Sequence, residues 1–419
     1  MIKKDDASFE GGKGNLPNGW KWVKLGDVCH TTSGGTPSRA VPSYYGGDIA
    51  WVKSGDLNDG LIYETEESIT QEAITNSSAK KFPAGTLLVA MYGATVGKLG
   101  ILAIEAATNQ AVCGIFCDEL LIDRNYLFYY IRQQRKNLIE SSFGGAQPNI
   151  SQDIIRAVKI PLPPLDEQKR IAAILNKKME AVEKARESAI AQLEAAKALT
   201  AAYLRSVFNS PEARKTSSDG WKWVKLGDVC EINPSRPRNL KRGDEELTSF
   251  VPMSAVDGKL GIIANSEIKK FATVRKGYTY FAKGDVLFAK ITPCMENGKH
   301  AIAKNLIDDI GFGTTEFHVI RPGDKITSDW VHKFVRQPEV CKKASNFFIG
   351  SVGQQRVPAE FLVNIKIPLP PLDEQKRIAT ILNEKLTEAE KLCKVLEEQL
   401  ENINKLPAAF LRQAFNGEL

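Results

Sequence analysis

The sequence predicts an α+β chain: two mixed α/β domains in a pseudo-two-fold repeat, joined by two long antiparallel coiled-coil helices. Three observations lead there. The stretch KIPLPPLDEQKRIA at Lys159–Ala172 returns letter for letter at Lys366–Ala379, and GWKWVKLGDVC at Gly19–Cys29 returns at Gly220–Cys230. Each proline-rich block opens a long charged segment, and the ends of those segments match as well, LTAAYLRSVFN from Leu199 against LPAAFLRQAFN from Leu406. Two copies are too few for a solenoid, which stacks three or more short units. The chain therefore reads as a globular part plus a long helix, written twice, with segments 1–160, 161–210, 211–367 and 368–419.

The 419 residues, 43% hydrophobic and 25% charged, have the composition of a soluble globular protein. No run of about 18 apolar residues is present, so a membrane span is not expected; the nearest stretch, Thr86–Ile104, is broken by glycines and Lys98. MIKKDDASFEGG has two lysines but no apolar core behind them, unlike a signal peptide. Seven cysteines are scattered without metal-ligand spacing, Cys113 and Cys117 being the closest pair. Cys29 and Cys230 hold equivalent repeat positions and read as small buried hydrophobes. Reduced thiols and a cytoplasmic location follow. A net charge of +6 permits a polyanionic partner without specifying one.

Residues up to Asn18 read as a lead-in rich in Gly, Lys and Asp. From Trp20, short apolar runs alternate with turn signals, which favours strands and loops. TLLVAMY, GATVGK and LGILAI read as a strand, a glycine turn and a returning strand. Tyr126–Leu138 carries apolar residues at helical spacing. Pro161, Pro163 and Pro164 then make a stiff extended connector, and Asp166 and Glu167 suit the positive end of the helix that follows. Its apolar register runs Ala172, Leu175, Met179, Val182, Arg186, Ala189, Leu193, Ala196, Thr200, Tyr203, Val207. The second copy gives Ala379, Leu382, Leu386, Ala389, Cys393, Leu396, Leu400, Ile403, Pro407, Phe410, Ala414, with Pro407 expected to kink or interrupt it. About 42 residues make a rod of roughly 60 Å. An antiparallel pair with a globular domain at each end is the expected arrangement.

Catalytic motifs are weak. Asp166, Glu167 and Lys169 imitate a nuclease set, but carboxylates crowded into one helical turn do not form such a site. GATVGK at Gly93–Lys98 lacks phosphate-loop spacing, as does Gly298-Lys299 in the second half. His30, His300, His318 and His332 are not repeat equivalents of one another and read as lone surface or core residues.

What remains is a shared frame whose loops differ. SGGTPSR (Ser33–Arg39) stands against NPSRPR (Asn233–Arg238), FGGAQPNIS (Phe143–Ser151) against SVGQQRVP (Ser351–Pro358), and MYGATVGK against AKITPCMENGK. Arg and Lys pair with guanine edges, Gln and Asn with adenine. The contact candidates are Ser38, Arg39, Lys53, Tyr92, Lys98, Gln147 and Asn149 in the first copy. In the second they are Ser235, Arg236, Arg238, Lys290, Asn297, Lys299, Gln354, Gln355 and Arg356. Arg39, Gln147, Arg236, Gln354 and Arg356 lead for base or phosphate contact.

On the GWKWVKLGDV opening, SGGTPSR, the repeated PLPPLDEQKRIA before a long helix and the closing LRQAFNGEL, nearly the whole chain resembles the specificity (S) subunit of a type I restriction-modification system. The resemblance implies two target-recognition domains, each reading one half of a split double-stranded DNA target, and two spacer helices that also bind the methyltransferase (M) subunits. Gln168, Arg170, Gln375 and Arg377 are the candidates for that helix contact. It further implies that S-adenosylmethionine sits on the M subunits, which methylate adenine, and that ATP and Mg serve a restriction/motor (R) subunit. No cofactor is expected in this chain. The lead-in has no counterpart in the matched motif. Frames that agree while loops differ predict an asymmetric bipartite target, and the rod length predicts an unread gap of roughly 5–8 bp between half-sites about one turn apart. Two other readings remain: a nucleotide-binding enzyme using the Gly-Lys hairpins, and a coiled-coil scaffold that does not touch DNA.

Overall fold

A computed structural model describes residues 16–142, 148–214, 221–238, 240–351 and 354–419. The lead-in before Leu16 and the candidate Gln147 lie outside them. The chain divides into two compact units, Met1–Ala189 with Gln399–Leu419, and Ile190–Glu398. Each unit thus holds the first part of one long helix and the last part of the other.

The strands of the first unit are β1 (Lys21–Lys24), β2 (Cys29–Ser33), β3 (Tyr45–Val52), β4 (Gly60–Ile62), β5 (Glu67–Ile69), β6 (Lys81–Phe82), β7 (Leu87–Ala90), β8 (Leu99–Leu102), β9 (Ala106–Thr108), β10 (Val112–Cys117) and β11 (Lys159–Leu162). They form a five-stranded sheet, β2-β10-β7-β8-β4, a four-stranded sheet, β5-β3-β9-β6, and the ribbon β1-β11. Every residue of β7 and β8 is buried, because both faces of their sheet are covered. Leu88, Ala90 and Val112 join Val52, Phe82 and Ala106 between the sheets. The alternate residues Leu87, Val89 and Ile115 pack on the helical side. There the helix Arg124–Glu140 covers them, capped by Asp123, whose carboxylate accepts the Tyr126 N–H.

The second unit repeats the plan with β12 (Lys222–Lys225), β13 (Cys230–Ile232), β14 (Leu247–Val251), β15 (Val256–Asp257), β16 (Ile262–Ile263), β17 (Glu267–Lys270), β18 (Thr279–Ala282), β19 (Val286–Ala289), β20 (His300–Ile302), β21 (Ile310–Gly313), β22 (Phe317–Pro322) and β23 (Lys366–Leu369). Its sheets are β13-β22-β19-β20 and β17-β14-β21-β18, with ribbons β12-β23 and β15-β16. Its counterpart to the covering helix is split into Ser328–Val335 and Pro338–Ser345, since Pro338 opens a new helix rather than continuing the old one.

The long helices run Leu165–Phe208 and Leu372–Phe415. In the first unit the start of one lies beside the end of the other: the Lys178 ammonium is 4.3 Å from the centre of the Phe410 ring. In the second, Lys385 stands 5.2 Å from the Tyr203 ring centre. Starts beside ends mean antiparallel packing in each unit. Seam residues Ala172, Leu175, Val182, Ala189, Leu193 and Ala196 are buried, whereas Arg186 is exposed. Toward the helix ends burial moves to Leu204 and Phe208, and to Leu411 and Phe415, which leave the helix–helix seam for the domain cores. Phe415 fits edge-on between Tyr126 and Tyr130, at 5.2 and 5.0 Å. Its repeat partner Phe208 packs on Trp330 and Phe334 at 4.7 and 5.7 Å. Pro407 does not interrupt its helix. It forgoes one backbone hydrogen bond, and burial of Leu411, Ala414 and Phe415 holds the turns beyond it.

Candidate nucleic-acid interface

The hairpin and the segment before the proline-rich block, marked separately in the sequence, lie side by side in both units. In the first, Gly93 and Gly97 take φ of 70° and 77° to turn the β7–β8 hairpin, and Tyr92 bridges Asn149. The Gly93 N–H donates to the Pro148 carbonyl and the Ile150 N–H to the Met91 carbonyl, both at 2.9 Å. In the second, Ile291 bridges Arg356, with the Thr292 N–H on the Gln355 carbonyl at 3.0 Å and the Val357 N–H on the Lys290 carbonyl at 2.8 Å. Asn149 and Arg356 each stand ten residues before their KIPLPP block, so the two bridges are repeat equivalents carrying different side chains.

In the first unit Tyr92, Lys98 and Asn149 are exposed. The SGGTPSR loop is drawn onto the four-stranded sheet at its glycines. A Cβ on Gly34 would meet the Thr108 carbonyl at 2.0 Å, and the Gly35 carbonyl accepts the Trp51 indole N–H at 3.2 Å. Ser38 is exposed, its hydroxyl accepting from the Ala40 N–H at 3.3 Å. Arg39 lies over the Tyr45 ring, 4.2 Å from its centre, and pairs with Glu67 at 2.7 Å. Lys53 reaches both Glu66 and Glu67 at 3.0 Å. Lys53 and then Arg39 hold the Glu67 carboxyl below the usual carboxylate range. Two of the candidate cations therefore meet on Glu67, with Glu66 a second partner for Lys53, while Lys98 has no ion pair among the described residues.

In the second unit a cavity of about 520 Å³ opens between the NPSRPR loop and the sheets, lined among others by Arg236, Arg275, Tyr278, Lys290 and His318. That volume lies within the ~300–1,000 Å³ of small-ligand sites. Arg236 donates to the Arg275 carbonyl at 2.8 Å, and Arg275 pairs with Asp244 at 2.6 Å. Lys290 has no ion pair among the described residues, so the rim carries a net positive charge. Asn233, at φ 54°, accepts the Val319 N–H at 3.0 Å and places its amide nitrogen 3.0 Å from His318 Nδ1. His318 Nε2 donates to the Val357 carbonyl at 2.8 Å, which puts the proton on Nε2. Burial pushes this histidine below its ordinary value and keeps it neutral. The Asn233–His318–Val357 string ties the loop, β22 and the segment before the proline-rich block together. Spacing alone marked His318 as a lone residue, because its partners are far off in sequence.

Ser235, Arg238, Asn297 and Gln354 are exposed, and Gln355 is half-buried. Lys299 turns into the fold and donates to the Met253 carbonyl at 3.0 Å. Arg356 is bound on three sides: Nε and Nη2 donate to Glu316 at 2.9 and 2.8 Å, and Nη1 to the Gln354 carbonyl at 2.9 Å. Glu316, missed in the sequence, is held below the usual carboxylate range chiefly by this guanidinium.

Two partner candidates need correction. Gln168 and Gln375 are fully buried, and their side chains are spent inside their own units. Gln168 accepts the Asp123 N–H at 2.8 Å and donates to the Leu121 and Pro163 carbonyls at 3.1 and 2.9 Å. Gln375 repeats this with Thr327, Lys325 and Pro370 at 2.9, 3.0 and 2.9 Å. They clamp each long helix to its domain. Arg170 and Arg377 stay exposed, each holding the glutamate three residues before it.

Neither glycine-lysine hairpin makes a phosphate loop, which requires a helix after the lysine; Lys98 and Lys299 lead straight into β8 and β20. Among the described residues no group of His, Cys, Asp and Glu could hold a metal ion, and no helix is long and apolar enough to cross a membrane.

The family model described as "Type I restriction modification DNA specificity domain" matches residues 17–192 and again 218–402. The EcoAI specificity subunit of Escherichia coli is 43% identical over 182 residues, 43% of this chain but only 30% of that relative's length. The MjaVIII specificity subunit of Methanocaldococcus jannaschii is 23% identical over 420 residues, covering 96% of this chain and 94% of the relative. Among solved structures, a chain from a type I restriction-modification system studied for complex assembly and conformational transition matches with a TM-score of 0.72 at 24% identity, over 97% of this chain and 100% of that one. The HsdS subunit of Thermoanaerobacter tengcongensis matches with 0.62 at 24% identity, over 97% and 99%. These two likenesses concern the fold.

Proposed function

The chain belongs to the type I restriction-modification DNA specificity family, and from that premise we propose that it is a specificity subunit reading double-stranded DNA in two separate halves. One observation carries this reading. The family match covers both units, and two of the three segments that differ between the copies are joined to each other at equivalent bridges. A repeated frame with different side chains at its edge suits a target whose halves differ in sequence. In this reading each unit reads one half-site, and the length of the long helices sets the unread gap between them.

The chain itself is then non-catalytic and binds no cofactor. It acts in the cytoplasm and directs two methyltransferase subunits, carrying S-adenosylmethionine, and restriction/motor subunits using ATP and Mg. The test is co-expression with its methyltransferase partner in cells lacking adenine methylation, followed by single-molecule mapping of methylated adenine. One asymmetric bipartite motif with a gap of roughly 5–8 bp is expected, its half-sites about one helical turn apart. A palindromic motif would overturn the expectation that the two halves differ in sequence.

A further inference from the structure

We propose, resting on the reading that the second unit meets DNA, that Arg356 reads a guanine and that Glu316 is the positioning residue that aims it. A guanidinium has five N–H donors in a planar fork. Glu316 takes one on Nε and one on Nη2, and the Gln354 carbonyl takes one on Nη1. One N–H on each Nη nitrogen is left, and guanine offers two acceptors, O6 and N7, on its major-groove edge. The Arg356 side chain is 41% exposed and that of Glu316 23%, so the fork reaches solvent while its brace stays largely inside.

The brace is itself fixed. The Glu316 carbonyl accepts the Lys290 N–H at 2.9 Å, and the Glu316 N–H donates to the Thr314 hydroxyl at 3.3 Å. The backbone of Arg356 is bridged on both sides, to Ile291 and to Ile349. A bidentate carboxylate restricts a side chain that would otherwise lose much rotamer freedom on binding. The pair is also close to electrically neutral. A phosphate is drawn by net charge, which Lys290 and Arg236 supply, whereas a neutralised fork keeps only its directional donors. That combination favours a base edge over the backbone.

The experiment uses the full chain assembled with its methyltransferase subunits, and the mapped motif as duplex probe, with 7-deazaguanine placed in turn at every guanine. The wild-type complex should lose about tenfold or more in affinity at one guanine of one half-site. Arg356→Ala should become indifferent to that substitution and tolerate other bases there, while the slope of log K against log[salt] stays the same. Glu316→Gln should relax discrimination at the same position, and Glu316→Asp should restore part of it. The proposal is overturned if no guanine in either half responds, or if Arg356→Ala keeps its discrimination and lowers the salt slope by about one, the mark of a phosphate contact. Failure of the wild-type complex to recognise any motif would instead remove the DNA reading itself. The 7-deazaguanine arm on wild-type protein needs no variant to fold.

Discussion

Replacing Gln168 by Leu tests whether this residue braces a domain or greets a partner. Leucine has nearly the same volume, so the change removes polarity more than packing. It strips the Asp123 N–H of its acceptor and the Leu121 and Pro163 carbonyls of their donor, all in a fully buried setting. A typical buried hydrogen bond contributes about 1 kcal/mol net, and an orphaned buried group costs about 1–3 kcal/mol. Three lost bonds therefore amount to roughly 3–5 kcal/mol. For domains of this size about 1 kcal/mol moves the midpoint by ~2–4 °C, so the first unit should melt about 10 °C lower in calorimetry of the full chain. The second unit should stay where it was. Amide exchange gives a local reading: the Asp123 N–H should lose protection. Gln375→Leu should do the same to the second unit, with the Thr327 N–H as reporter. A shift below about 3 °C, together with lost binding of methyltransferase subunits, would refute the brace and restore the glutamine as a partner contact.

Acid should open the second unit first. Burial pushes His300 down to about 3, His332 well below its ordinary value and His318 below it as well, and all three belong to that unit. The unfolded chain takes up protons near pH 6.5 while the folded His300 stays neutral, so stability is full above about 6.5 and falls as pH drops. The fall is ~1.4 kcal/mol per pH unit for His300, with His332 and His318 adding in the same direction. Pulsed hydrogen exchange from pH 6.5 to 4.5 should show the second unit losing protection ahead of the first; simultaneous loss would count against the buried histidines. A seven-residue insertion into both long helices, between Ala189 and Ile190 and between Glu398 and Gln399, keeps the heptad register and adds about 10 Å. The methylated motif should keep its two halves and gain about three base pairs of gap, and an unchanged gap would sink the spacing argument.

The duplication was fully legible in the sequence, since it needs only string comparison, and so were the long helices, whose 44 residues hold no glycine. The covering helix Arg124–Glu140 showed through its apolar spacing. The path of burial near the helix ends did not. Leu204, Phe208, Leu411 and Phe415 obey the same 3.6-residue period as the seam, and only the tertiary structure shows that they serve a domain instead. Residue type misled at Gln168 and Gln375, because an amide on a charged helix looks solvated until its three bonds are seen. At the candidate interface the sequence found cations and could not find their counter-charges. Glu67 and Glu316 lie far along the chain from the Arg39 and Arg356 they hold, with no periodicity to connect them.

The division of the long helices has a consequence for how the molecule is made. All of the second unit is encoded between the two pieces of the first. A ribosome adding about 5–20 residues per second will therefore expose the slot between Tyr126 and Tyr130 for on the order of tens of seconds before Phe415 emerges to fill it. The half synthesised first is the half completed last, and until then its aromatic floor is open to chaperones.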